Sequence, residues 1–88
     1  MEKVMQDNDY KNSLGYRLSR IRFEFGLNKK QLADKLYISQ QCITRYEKNE
    51  REPDYSYILN LVDKCNVNLE YVFGKSDIIF NDKKKRES

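Results

Sequence analysis

Apolar residues recur along this chain at helical spacing. Leu14, Leu18, Ile21 and Phe25 stand four, three and four positions apart, which gives a helix with one buried face. Gly26 follows where a left-handed cap ends such a helix. Asn28, with Gln31 three residues on, has the form of a capping box, and Leu32, Ala33 and Leu36 form the inner face of a short second helix. Tyr37 and Ile38 read as a turn. Ser39 is the next N-cap, opening a third helix that buries Ile43 and part of Tyr46. Asn49 suits a left-handed stop.

The stretch NEREPD, residues 49–54, forms a polar loop with the only proline. Asp54 caps a fourth helix, whose inner face is expected to be Tyr55, Ile58, Leu59, Val62 and Cys65, with Asn66 at its end. Asn68 opens a last short helix with Leu69, Val72 and Phe73 inside and Gly74 as its stop. No segment alternates with period two, so the fold class is all-α and no sheet is expected. Residues 1–12 are polar and aperiodic and read as a flexible N-terminal arm. Residues 13–74 form the domain. Residues 75–88 read as a C-terminal tail, with an apolar patch at Ile78, Ile79 and Phe80 that offers a second subunit a surface, and a basic end at Lys83, Lys84, Lys85 and Arg86.

Composition narrows the function. At 88 residues the chain is one domain, small enough that only roughly 60% of its extended surface is buried on folding. With 39% hydrophobic and 35% charged residues, it has a globular, soluble composition. No apolar run approaches the ~20 residues of a membrane span, and the N-terminus has no apolar core of a signal peptide, so a cytoplasmic location is expected. There is no histidine, and the two cysteines, Cys42 and Cys65, are far apart in sequence. The commonest general base is therefore missing, two thiols alone cannot close a tetrahedral metal site, and no phosphate-cradling glycine loop is present. No enzyme, no cofactor and no metal are expected, and the cysteines read as reduced core or boundary residues.

The net charge is only +3, but residues 28–48 hold Lys29, Lys30, Lys35, Arg45 and Lys48 against Asp34 and Glu47. Nucleic acid is the acidic partner such a concentration suits. The second and third helices are short and joined by about three residues, which is helix-turn-helix spacing over residues 28–48. In that motif the second helix of the pair enters the major groove. Here Gln40, Gln41, Thr44, Arg45 and Lys48 share one face, opposite Ile43. Glutamine can pair with the N6/N7 edge of adenine, and arginine with O6 and N7 of guanine. A solvated surface helix without a partner more often carries Glu/Lys pairs and alanines.

The stretches GLNKKQLADKL, ISQQCITRYEKNEREP and VNLEYVFG together resemble the phage repressor and Cro type of helix-turn-helix, the xenobiotic-response-element family. The resemblance runs from about Leu14 to Gly74. It implies a compact, lambda-repressor-like five-helix bundle that binds a double-stranded DNA operator, usually as a homodimer, to control transcription, most often as a repressor. Carried over by position, it implies base reading by Gln40, Gln41, Thr44 and Arg45, and phosphate contacts by Lys29, Ser39, Lys48, Asn49 and Arg51. It also implies a structural clamp between Arg22 and Glu47. The family usually has glycine where this chain has Tyr37, so either the tyrosine ring packs to offset a strained backbone or the turn differs. A protein-interaction module on the same bundle, antitoxin-like or docking a partner, is the alternative reading, and the Ile78–Phe80 patch is the feature that favours it.

Overall fold

The structure, a computed structural model, describes residues 10–81. Residues 1–9 of the arm and the basic end of the tail lie outside the described residues. Five helices follow one another: α1 (Leu14–Phe25), α2 (Lys29–Leu36), α3 (Gln40–Glu47), α4 (Tyr55–Cys65) and α5 (Leu69–Val72). Side-chain caps begin all five. The oxygens of Ser13, Asn28, Ser39, Asp54 and Asn68 accept from backbone N–H groups of Tyr16, Gln31, Cys42, Tyr57 and Glu70. The capping box at Asn28 is complete, because the N–H of Asn28 also donates to Oε1 of Gln31 at 2.8 Å. Left-handed residues end the elements at Gly26, Tyr37, Asn49, Asn66 and Gly74.

Helix α1 packs on α3 and α5, and α2 packs on α3 and α4. Leu18, Ile21, Leu32, Leu36, Ile43, Leu61, Val67 and Val72 meet in the centre, all essentially inaccessible to water. Each makes a contribution of about 1.5–3 kcal/mol relative to exposure.

The buried faces of α1, α2 and α3 follow the sequence pattern, except that Phe25 is partly exposed at the end of α1. Those of α4 and α5 differ from expectation. Tyr57, Ile58, Leu61 and Cys65 are the buried residues of α4, while Tyr55 and Leu59 face outward. This helix is apolar around most of its circumference, so two overlapping stripes share Ile58 and Cys65 and periodicity cannot choose between them. In α5 the buried residues are Tyr71 and Val72, and Leu69 and Phe73 are exposed. One helical turn carries no period to read.

Both edges of the domain extend beyond the expected boundaries. Residues 10 and 11 are helical, and the Tyr10 ring meets Tyr16 edge-on at 5.6 Å. At the other end, residues 75–81 turn back on the bundle. Phe80 forms an antiparallel bridge with Val67 and packs its ring 5.9 Å from Phe25. The N–H of Asn68 donates to Ile79 O at 2.7 Å, and Nδ2 of Asn81 donates to Val67 O at 3.1 Å. Ile79 and Phe80 therefore pack against their own core, and only Ile78 of that patch stays largely exposed.

The turn between α2 and α3 keeps the left-handed geometry despite the tyrosine. Tyr37 has φ 58° and ψ 44°, and its ring is 85% exposed. The ring does not enter the core. It lies instead beneath the Lys64 ammonium, 5.3 Å from the ring centre. That cation–π contact, worth about 0.5–1 kcal/mol at an exposed site, offsets part of the backbone cost of about 1–2 kcal/mol. The turn's N–H groups, of Tyr37 and Ile38, both donate to Ala33 O.

Candidate nucleic-acid interface

Helix α3 is split lengthwise. Ile43, Tyr46 and Glu47 face the bundle and are buried, whereas Gln40, Gln41 and Arg45 are exposed and Thr44 is half-buried at their edge. Ser39 caps the helix with Oγ, which accepts from Cys42 N at 3.1 Å. The cap uses the serine side chain, but Ser39 itself remains exposed. Cys42 is half-buried and Cys65 buried, both as free thiols, and burial pushes the Cys65 thiol up.

Further cationic residues stand in the segments before and after α3. Lys29 is the first residue of α2, at an N-terminus whose unpaired N–H groups favour an anion. Lys48 and Arg51 follow α3 and are exposed. Asn49, grouped with them in the sequence reading, is used differently. Its Oδ1 accepts from Gly15 N at 2.8 Å and its Nδ2 donates to Ser13 Oγ at 3.0 Å. Its side-chain amide is thus engaged within the domain, at the first turn of α1.

Arg22 and Glu47 hold α3 to α1. Nε and Nη2 of Arg22 donate to the two carboxylate oxygens of Glu47 at 2.9 and 3.0 Å, and Nη1 donates to Leu27 O at 3.1 Å. Glu47 is only 4% exposed. The hydrogen bond it donates to Glu47, the largest influence, raises Arg22 above its already high ordinary value. The guanidinium therefore remains charged throughout the working pH range. Next to this pair, the Tyr57 ring meets Tyr46 at a tilt of 54° with centroids 4.6 Å apart, and burial raises the Tyr57 phenol well above its ordinary value.

Two residues essential to this geometry escaped the sequence reading. Gly15 is buried in α1, and a Cβ there would come within 2.5 Å of Glu47 O. Tyr10 donates its hydroxyl to that same carbonyl at 3.0 Å. An isolated glycine inside a helical pattern was the available signal, since it costs ~1 kcal/mol relative to alanine unless packing requires it. Tyr10 had none, because it lies in a polar stretch without period.

The helix-turn-helix family matches residues 18–72 of this chain. The chain belongs to that family, in its repressor and Cro form. It is 36% identical over 66 residues to the HTH-type transcriptional regulator ImmR of Bacillus subtilis (strain 168), a match covering 75% of this chain and 52% of that protein. It is 35% identical over 71 residues to the uncharacterized HTH-type transcriptional regulator YqaE of the same organism, covering 78% of this chain and 61% of that one. The chain thus spans little more than half the length of these relatives. A transcriptional regulator from Listeria innocua shares the fold, with a TM-score of 0.63 at 23% identity over 85% of this chain and 70% of that one.

Proposed function

We propose that this protein is a sequence-specific DNA-binding transcriptional regulator that inserts α3 into the major groove. The division of α3 carries this reading. Its apolar residues and its one carboxylate are turned inward, so the outward face offers DNA two glutamines and an arginine with no acidic group among them. Gln40, Gln41, Thr44 and Arg45 would read base edges. Lys29, Lys48 and Arg51 would contact phosphates on either side, with Ser39 as a further polar contact at the helix start. The relatives' names as transcriptional regulators favour the same role. Its action is repression by occupying an operator, its chemistry is binding rather than catalysis, and its compartment is that of the chromosome.

One recognition helix reads only a few base pairs, too few to select a site in a genome. We infer a homodimer on a palindromic operator, with half-sites about 34–36 Å apart. The Ile78–Phe80 patch is a poor candidate for the contact, since two of its three residues are packed internally. A groove lined by Pro53, Tyr55, Leu59, Leu69 and Phe73 suits it better, because the last four are turned outward just past the loop that carries Arg51. Selection of bound sites from random duplexes tests the reading, and a two-fold symmetric consensus is the expected result. Recovery of no preferred sequence would contradict it.

A further inference from the structure

Asn49 stands in the loop where phosphate contacts were expected, yet its amide faces the protein. Three links converge there. Gly15 N donates to Asn49 Oδ1 at 2.8 Å, Asn49 Nδ2 donates to Ser13 Oγ at 3.0 Å, and Tyr10 Oη donates to Glu47 O at 3.0 Å. Gly15 belongs to the first turn of α1, so its N–H has no intrahelical partner, and Asn49 satisfies it from another element. The two backbones approach so closely that only glycine fits at position 15.

The Arg22–Glu47 pair ties the end of α3 to α1 by side-chain hydrogen bonds at one place, leaving the angle between the two helices to apolar packing. Gly15 lies two turns from Arg22 on α1, about 10 Å along the axis. A second attachment at that distance fixes an angle as well as a separation. It also holds the left-handed residue, Asn49 at φ 62°, that turns the chain from α3 toward Arg51.

We infer that Asn49 is a positioning residue, which together with Gly15, Ser13 and Tyr10 sets the angle at which α3 is presented to DNA. This rests on the DNA-binding reading above and changes the part Asn49 plays in it. Its side chain touches no phosphate. It acts through the orientation of Gln41 and Arg45.

The test uses Asn49→Gly in the full chain. Glycine adopts the same positive φ without strain, so only the side-chain bonds are lost. Binding to the selected site and to a random duplex is measured by fluorescence anisotropy over a range of salt, well below the melting temperature of each protein. The variant is expected to lose about fivefold or more for the selected site, the size of one good base contact. Random-duplex binding and the salt slope should stay as in wild type. Gly15→Ala, which forces the same two backbones apart, should reproduce this pattern. Equal losses on both duplexes, with a salt slope reduced by about 1, would make Asn49 a phosphate contact and overturn the inference. Unchanged preference in a folded Asn49→Gly protein would overturn it too. A wild type with no preference for any site would overturn the DNA reading itself, and is recognised before any substitution is made.

Discussion

Arg22 and Glu47 face each other through two parallel hydrogen bonds of 2.9 and 3.0 Å, although they are 25 positions apart in sequence. The carboxylate is almost wholly removed from water, and among the described residues the guanidinium is its only hydrogen-bond partner. Removing the arginine strands a buried charge. Arg22→Met should therefore lower stability by up to about 3 kcal/mol, less than a fully buried pair because the guanidinium keeps some exposure. Replacing both residues, Arg22→Met with Glu47→Leu, should recover much of that loss. Thermal melts of the four proteins of this cycle measure it, and coincident melts of Arg22→Met and wild type would show that the pair holds nothing.

Lys29 begins α2, where its charge adds to that of the helix N-terminus. A phosphate contact there should contribute roughly 0.9 to the slope of log affinity against log salt. Lys29→Ala should reduce the slope by about that amount and leave the preferred sequence unaltered. Titrations at three or more salt concentrations decide this. An unchanged slope would remove Lys29 from the interface.

Tyr57 is buried, and its hydroxyl has no hydrogen-bond partner among the described residues. Burial is the main cause that raises its phenol above the ordinary value of 10. An acid whose folded-state value is raised stabilises the fold fully at lower pH and loses that contribution as pH climbs past the unfolded value. Cys65 is pushed up from 9.0, also by burial. Stability should hold through neutral pH and decline from about pH 9 upward. At pH 7, Tyr57→Phe should melt at or above the wild-type temperature, because it removes a buried polar atom that gains no bond. Above about pH 10 its decline should be shallower than that of wild type. Melts at pH 7 and in alkaline buffer check both parts, and a markedly less stable Tyr57→Phe at pH 7 would mean the hydroxyl has a partner.

If two copies meet through the groove at the start of α4 and α5, a charge in it should separate them. Leu59 and Phe73 are exposed in the single chain, so Leu59→Glu or Phe73→Glu should fold normally. Either should reduce binding to a palindromic site far more than binding to a single half-site. Sedimentation on the palindrome should show two wild-type chains per duplex, and a stoichiometry of one would count against the dimer.

The sequence was most informative where one residue type does one job. Asn28, Ser39, Asp54 and Asn68 were legible as caps because a side-chain oxygen before an apolar run has few other uses. The division of α3 was legible because its apolar positions are few. Helix α4 was not, since Tyr55, Tyr57, Leu59 and Leu61 surround it with apolar surface and only the tertiary contacts select a face. The fold-back of residues 75–81 rests on backbone bonds to residues 66–68, which periodicity cannot reveal. The part played by Asn49 was hidden for a related reason: asparagine suits a left-handed stop, a phosphate contact and a link between helices equally, and only its neighbour Gly15 distinguishes them.

The proposed function stands or falls on base reading by the outward face of α3. Arg45→Ala and Gln41→Ala test it most directly when each is measured on the selected site, on that site with every single-base change, and on a random duplex. Each variant should lose about 1–3 kcal/mol on the best site, relax preference at one position, and bind the random duplex nearly as well as wild type. The two relaxed positions should differ and be neighbours. Equal losses on specific and random DNA would mean that these side chains only hold the phosphate backbone and that α3 does not read bases through them.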